Sequence, residues 1–235
     1  MKHIKLLSVV ALAVFGATAA SSVVSAAPVL DRQTGGSIEF DNATNDIDIN
    51  DPEKPDVAFP TTEDPKKPIE LIQGPAGGLF LGGVPDTFNF GKHEIGATDI
   101  FSGKVLTYEQ EKRPSVTRKQ GVAVYDGRID KDDWSLSAKL SAFNTGKLKG
   151  TTITIENAKT LSQFPNQQPK LVQGSKTTIS QTTSVEFLKS DPKAKGTTSA
   201  LWDKFSDVKI NVPASEITKG AHKATVDWTL VAGAN

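Results

Sequence analysis

The chain has 235 residues, enough for one or two domains, and its 27 basic residues are balanced by 27 acidic ones. It contains no cysteine, which excludes disulfides, thiolate metal sites, nucleophilic cysteine chemistry and thioether-linked lipid anchors. Its three histidines leave little material for a histidine-based catalytic or metal centre, and its formal net charge of zero conceals a strong asymmetry along the chain.

Residues 1–26 have the pattern of a signal peptide. A short basic start at residues 2–5 is followed by an almost wholly apolar run at 6–20. The small residues at 24–26 fit the site that a signal peptidase cleaves, so Ala27 is the predicted first residue of the mature chain. The apolar run is shorter than the ~20 residues that a bilayer span needs, which favours export with cleavage over a membrane anchor.

Residues 27–68 are predicted to form a disordered, acidic, proline-rich linker without a core. Ten acidic residues against four basic ones give this segment a net charge of −6, and prolines recur along it. Proline favours extended backbone and like charges repel. Residues 46–50 have the spacing of the first ligands of a calcium loop, but Asp51 and Val57 stand where such a loop needs Gly and Glu. A solvated acidic spacer is therefore favoured over a metal site.

Residues 69–235 form the predicted folded unit, with a net charge of +4 and apolar residues that recur with a period of two. From 133 to 142, Trp134, Leu136 and the alternate positions after them are apolar, while the intervening residues are polar. A helix turns ~100° per residue and would place Trp134 and Leu136 on nearly opposite sides, so the alternation predicts a strand with one buried face. Residues 223–230 repeat this pattern.

The rest of this unit indicates a protein made almost entirely of short strands. Long helical periodicity is missing, and only residues 198–205 are predicted to form a short helical turn. The paired glycines at 77–78 and 82–83 are predicted to be flexible turns at the domain entry. About eight to ten strands predict an all-β fold, an antiparallel two-sheet sandwich-like domain. The further predicted strands are 86–90, 105–109, 121–125, 151–156, 177–188 and 207–212.

Two of the three tryptophans share one local pattern, D-W-[ST]-L. It occurs at residues 133–136 and again at 227–230, each time within an alternating strand. In both copies the Trp and Leu side chains are predicted to point to the same face and the hydroxyl residue to the other.

The order of these features resembles that of WxL domain proteins of Gram-positive bacterial surfaces. Residues 84–91 (VPDTFNFG) are similar to the V-P-x-F-D-F-G entry of that family, with one extra residue and Asn in place of Asp. Arg113-Pro114, the stretch 124–128 (VYDGR) and the two W-x-L motifs follow in the expected order. The resemblance covers about residues 69–235, and the chain looks like a small member of the family.

The resemblance implies an extracellular protein held non-covalently on the cell wall, with peptidoglycan as its partner. It also implies surface complexes with other WxL proteins and a membrane-anchored WxL-interacting protein. The residues themselves agree in part, because the chain has no cysteine for lipidation and no L-P-x-T-G sorting signal. The alternative function is that of a subunit of a surface complex, or an adhesin, that binds a protein rather than bare wall. The basic character is too weak for nucleic acid.

The motif residues Trp134, Leu136, Trp228 and Leu230 are the candidate binding residues. Alternation favours a place in the core for all four. The other interpretation is that the tryptophans line a groove and stack on sugar rings or on apolar groups of a partner.

No catalytic or metal site is predicted, and no cofactor is expected. The chain has no G-x-S-x-G, no H-E-x-x-H and no phosphate-binding loop. Carboxylates at Asp130, Asp132, Asp133 and Asp227 raise the hypothesis of a wall hydrolase, which needs two carboxylates at a defined separation. Solvated carboxylates on strands and turns are favoured, and the protein is predicted not to be an enzyme.

The densest basic cluster of the sequence consists of Lys112, Arg113, Arg118 and Lys119. A solvated charged face is one interpretation. Contact with wall polyanions such as teichoic acids is the other.

Overall fold

The computed structural model describes residues 43, 45–47, 50–58, 69–71, 73–114, 116, 118–129, 133–190 and 195–233. The predicted signal peptide, much of the predicted linker, and Asp130 and Asp132 lie outside the described residues.

Strands account for most regular structure in the described ranges, beside one short helix, α1 (Ala97–Ile100), and two 3₁₀ turns, Phe205–Asp207 and Ala214–Glu216. The strands are β1 (Asp46–Ile47), β2 (Asn50–Asp51), β3 (Lys54–Ala58), β4 (Ile69–Leu71), β5 (Gly74–Pro75), β6 (Leu79–Pro85), β7 (Val105–Glu109), β8 (Gln120–Asp126), β9 (Trp134–Leu140), β10 (Thr152–Ile155), β11 (Lys159–Ser162), β12 (Lys170–Leu171), β13 (Thr177–Ser180), β14 (Val185–Lys189), β15 (Gly196–Trp202), β16 (Val208–Pro213) and β17 (Val226–Ala232).

Three principal antiparallel sheets organise these strands. The β10 sheet has the order β13-β10-β16-β7, the β8 sheet has the order β11-β15-β8-β6-β4, and the β9 sheet has the order β12-β14-β9-β17. Two short pairs, β1 with β5 and β2 with β3, accompany them. The predicted all-β antiparallel fold is confirmed. Alternation alone does not specify how many sheets the strands build, and here they are distributed over three principal sheets rather than two.

One hydrophobic core is shared by the three principal sheets. In β9, buried apolar positions alternate with polar ones as predicted. β16 shows the same alternation, with Val208, Ile210 and Val212 buried. β8 and β15 are buried along almost their whole length because they occupy the interior of the β8 sheet. The core includes Val122, Val124, Trp134, Leu136, Leu140, Ile153, Ile155, Ile179, Phe187, Leu188, Trp202, Val208 and Ile210.

Residues 50–58 belong to the predicted linker but form the β2–β3 pair against the domain. The Ser199 hydroxyl donates to the Pro52 carbonyl at 2.7 Å, and the Asn50 backbone N–H donates to the Thr197 hydroxyl at 3.1 Å. Arg118 forms ion pairs with Asp51 and Glu53 of the same segment. Asp51 and Glu53 are therefore neutralised by Arg118, which is far away in the sequence, and composition does not reveal such an ion pair. Asp46–Ile47 of the predicted linker likewise form β1, which pairs with β5. For the residues of 27–68 outside the described ranges, the linker stays a prediction.

The local predictions at residues 82–90 and at residues 198–205 were wrong for the same physical reason. Residues 86–90 are not a strand, because the strand of that region is β6, which contains the glycines at 82–83 predicted to be turns. The helical turn predicted at 198–205 is wrong, since β15 extends to Trp202 between β11 and β8 and a 3₁₀ turn begins only at Phe205. In both places hydrogen bonding to neighbouring strands overrides local propensity. Residues 177–188 form two strands, β13 and β14, rather than one.

Candidate functional site

The two W-x-L motifs lie side by side in the β9 sheet. β9 and β17 are antiparallel neighbours, with Trp134 opposite Ala232, Leu136 opposite Leu230, and Ala138 opposite Trp228. Directly opposed residues of an antiparallel pair share one face of the sheet. The two leucines are therefore adjacent, and the two tryptophans stand at opposite ends of the paired motifs on the same inner face.

The first motif belongs to the core. Trp134 is 1% exposed and Leu136 is 0% exposed, because β9 is paired on both sides, with β14 and with β17. The Ser190 hydroxyl accepts the Trp134 backbone N–H at 2.8 Å, and the Ser190 N–H donates to the Trp134 carbonyl at 2.9 Å. These side chains offer no accessible surface to a ligand in this conformation.

The second motif is less completely covered. Trp228 and Leu230 pack against the core but keep part of their surface exposed, because β17 is the edge strand of the β9 sheet. The Trp228 ring meets the buried Phe187 ring edge-on, with centroids 5.5 Å apart and an interplanar angle of 77°. Phe187 lies at an irregularity of β14, between Glu186 and Leu188, where the register with β9 shifts.

β17 contacts β6 of the β8 sheet, and both strands carry partly buried apolar side chains there. These side chains pack against the core without being enclosed by it. An accessible aromatic ring flanked by aliphatic side chains suits an amphipathic ligand. We call this set of side chains the β17 seam; it consists of Leu79, Leu81, Val84, Val226, Trp228 and Leu230.

The opposite face of β9 and β17 is mostly polar, although the exposed Val231 also lies on it. Ser137 stands opposite Thr229, and Lys139 stands opposite Asp227. This face therefore presents hydroxyl and charged groups to solvent next to the edge that carries the β17 seam.

The carboxylates next to the motifs do not form a catalytic pair. Asp133 lies beside the end of β17, where its carbonyl accepts the Gly233 N–H at 2.7 Å, whereas Asp227 lies near the start of that strand. Six strand residues separate these ends by ~20 Å, well beyond the ~5–9.5 Å between the two carboxyl groups of glycosidases. Asp133 instead lies 3.6 Å from the Lys189 ammonium group. Among the described residues there is no group of three or more His, Asp or Glu that could hold a metal.

The VYDGR stretch ends β8 in a buried charge network. The Asp126 carboxylate is 1% exposed and accepts two side-chain hydrogen bonds from Arg128 and one from Lys195, all at 3.0 Å. The Nη2 group of Arg128 also donates to the Asp133 carbonyl at 3.4 Å, which ties the network to the start of the first motif. A buried carboxylate is stable only when it is paired and hydrogen-bonded, so this network is structural. Sequence reasoning noted these residues only through the resemblance.

Gly127 and Tyr125 anchor the same turn to the segment before β6. A β-carbon at Gly127 would collide with the Ala76 carbonyl oxygen, which requires glycine here. That carbonyl also accepts the Tyr125 hydroxyl at 3.0 Å. Burial, with the nearby Asp126 carboxylate, raises the pKa of Tyr125, so the phenol remains a donor at neutral pH.

The predicted basic cluster does not form a free cationic patch. Arg113 makes two hydrogen bonds to the Asp86 carboxylate at 2.6 and 2.9 Å, which join two of the stretches that carry the family resemblance. Arg118 pairs with acidic residues of the β2–β3 segment. Lys119 lies 2.8 Å from Asp203 and, by its hydrogen bond, holds the pKa of that carboxyl below its usual value. Only Lys112 of the four is exposed without an ion pair to a described residue.

Comparison with known protein families gives a match over residues 28–233, to the model described as "WxL domain surface cell wall-binding". The match begins within the segment predicted as a linker and extends past the second motif. No curated protein and no solved structure matches the chain. None of the helices in the described ranges has the length and apolar character to cross a membrane. A wall-binding family and an all-β fold support the prediction of a non-enzymatic protein. The chain belongs to the WxL domain family of surface, cell wall-binding proteins, which places it outside the cell and at the wall.

Proposed function

We propose that this domain holds the protein on the cell wall non-covalently by binding peptidoglycan. The observation that carries the proposal is the family match over nearly the whole chain, since that family is described as wall-binding. The all-β domain, and the separation of ~20 Å between the strand ends that carry Asp133 and Asp227, favour a binding role over hydrolysis.

We place the contact on the β17 seam. Sugar rings have apolar faces that stack on aromatic side chains and hydroxyl rims that need polar partners. Trp228 offers a partly exposed ring, and β17, as the edge strand of its sheet, offers polar backbone groups beside that ring. Trp134 and Leu136 are positioning residues in this proposal, because Leu136 lies opposite Leu230 within the core and fixes the strand that carries the seam.

The test is a pull-down of residues 27–235 with purified peptidoglycan sacculi stripped of teichoic acid. Trp228→Ala is expected to weaken binding about tenfold, equivalent to about 1.4 kcal/mol, whereas Trp228→Phe retains much of it. Val231→Ala is the matched control, because Val231 is 52% exposed on the same strand but points to the opposite face. Circular dichroism checks that each variant is folded.

Two results would contradict parts of this proposal. Absence of binding by the unmodified chain would exclude peptidoglycan as the ligand. Loss of binding with Val231→Ala, together with full binding by Trp228→Ala, would move the contact to the polar face.

A second candidate function is docking to a protein, and the edge position of β17 favours it. An edge strand has unpaired backbone groups that a strand of another chain can extend. Other WxL proteins, or a membrane-anchored WxL-interacting protein, are the candidate partners. A photoreactive amino acid at Val231 would report the neighbour in intact cells. A covalent adduct with protein, combined with no binding to sacculi, would favour this second function.

A further inference from the structure

Two loops are joined at the end of the domain where β17 begins. The first, residues 141–151, follows β9, and the second, residues 214–225, precedes β17. The Asn144 N–H donates to the Lys223 carbonyl at 2.9 Å, and the Lys223 N–H donates back to the Asn144 side chain at 3.0 Å. The Thr145 hydroxyl and His222 Nδ1 are 2.8 Å apart. These bonds make the two loops one surface.

This surface is strongly cationic. The two loops carry four lysines and a single acidic residue, Glu216. Lys104 is adjacent, because its carbonyl accepts the Ala214 N–H at 2.9 Å. All five lysine side chains are exposed, and none forms an ion pair with another described residue. We call this surface the lysine end; it consists of Lys104, Lys147, Lys149, Lys219 and Lys223.

The lysine end differs from the arginine sites of the domain. Arg113, Arg118 and Arg128 are all paired with carboxylates, so each arginine in the described ranges has a structural partner. The lysines of the two loops lack such partners. Like charges that share one surface without ion pairs destabilise a folded protein unless an anion compensates them.

The backbone beneath these lysines is well anchored. Leu148 is 7% exposed and packs in the core, while Lys147 and Lys149 on either side of it are exposed. Leu148 has φ 56°, a left-handed conformation that is costly for a branched residue and persists only when its surroundings impose it. His222 reinforces the second loop, with its Nε2 2.9 Å from the Thr218 carbonyl oxygen. The charges are thus displayed on fixed backbone.

We propose that the lysine end binds an anionic phosphodiester chain of the cell wall, as a second contact separate from the β17 seam. Lysine is a flexible point charge without the planar fork by which arginine grips a single carboxylate, and several lysines on two loops match an anion repeated along a polymer. The identity of the polymer rests on the proposed function, because that function is what brings the domain to the wall.

The test compares two variants of equal charge in residues 27–235. Lys147→Gln/Lys149→Gln/Lys219→Gln/Lys223→Gln neutralises the lysine end. Lys92→Gln/Lys112→Gln/Lys170→Gln/Lys204→Gln removes the same charge from exposed lysines elsewhere that have no ion pair to a described residue. The probe is delipidated poly(glycerol phosphate), with bare sacculi and vesicles containing anionic phospholipid as separate arms.

The expected result is binding of the unmodified chain to poly(glycerol phosphate), weakening as salt is raised, because charge contacts to a polyanion release counterions. The lysine-end variant is expected to lose about tenfold or more in affinity, and the control variant much less. Binding to bare sacculi should be unchanged in both variants.

Three outcomes would overturn the inference: no binding of the unmodified chain to the polymer, equal losses in the two variants, or binding to anionic vesicles but not to the polymer. Binding to poly(glycerol phosphate) with the expected loss, but none to bare sacculi, would support the lysine end while contradicting the proposed peptidoglycan contact. The experiment therefore distinguishes failure of the lysine-end inference from failure of the proposed peptidoglycan contact.

Discussion

The two W-x-L strands have nearly the same local sequence but occupy different environments. Trp134 and Leu136 are buried in β9, which has a paired strand on each side, whereas Trp228 and Leu230 are partly exposed in β17, which lies at the sheet edge. Alternation determines the face to which each side chain points, and the position of the strand in the sheet determines how deeply that side chain is covered. Two copies of one motif can therefore differ in role, one contributing to the core and the other to a partly exposed surface.

The largest effect that tests this comparison is expected from Trp134→Ala. Removing a fully buried indole leaves a cavity, and we expect the free energy of unfolding to fall by about 3–5 kcal/mol. Urea unfolding followed by circular dichroism measures this loss. A loss no larger than that of Trp228→Ala would contradict the assignment of the two tryptophans to different environments.

Trp228→Ala is expected to lower the free energy of unfolding by only about 1–2 kcal/mol, because Trp228 buries less apolar surface on folding than Trp134 does. The same urea titration provides the value, and the sacculus pull-down on the folded variant provides the binding readout. Unaltered wall binding would leave the second motif with a structural role only.

The adjacent leucines allow the link between the strands to be measured. Leu136 and Leu230 are directly opposite across β9 and β17, so Leu136→Ala, Leu230→Ala and the double variant form a double-mutant cycle. We expect a coupling of about 0.5–1 kcal/mol, typical of cross-strand pairs in contact. Leu136→Ala with Leu201→Ala is the comparison pair, because Leu201 is buried but lies outside the core cluster that contains Leu136. Strictly additive effects for the two leucines would contradict the register.

The smallest effect is expected from the aspartates that precede the motifs. Asp133→Asn removes a partly exposed ion pair with Lys189 and should cost about 0.5 kcal/mol or less. Asp227→Asn should change stability still less, because its side chain is exposed and accepts a hydrogen bond from the Thr225 hydroxyl that Asn can also accept. Thermal unfolding midpoints at low and high salt distinguish the two, since only the Asp133 effect should fall with salt.

The basic residues show a limit of sequence reasoning at the level of single side chains. Residues 112–119 form the densest basic cluster of the sequence, yet Arg113, Arg118 and Lys119 are neutralised by Asp86, by the β2–β3 carboxylates and by Asp203. The lysines of the lysine end, which form no ion pair with a described residue, come from segments far apart in the chain. Local charge density does not predict a surface potential, because ion pairing depends on which segments the fold brings together.

The sequence by itself determined the strand character and inward faces of β9 and β17, because the pleat repeats every two residues and leaves a periodic record in the chain. It also carried the ordered motifs that identify the WxL family. Only the tertiary structure decided that these strands are neighbours, that β17 is an edge, that part of the predicted linker docks on β15, and that lysines of two loops share one end. Those features depend on hydrogen bonds and contacts between residues far apart in the chain, which local patterns do not encode.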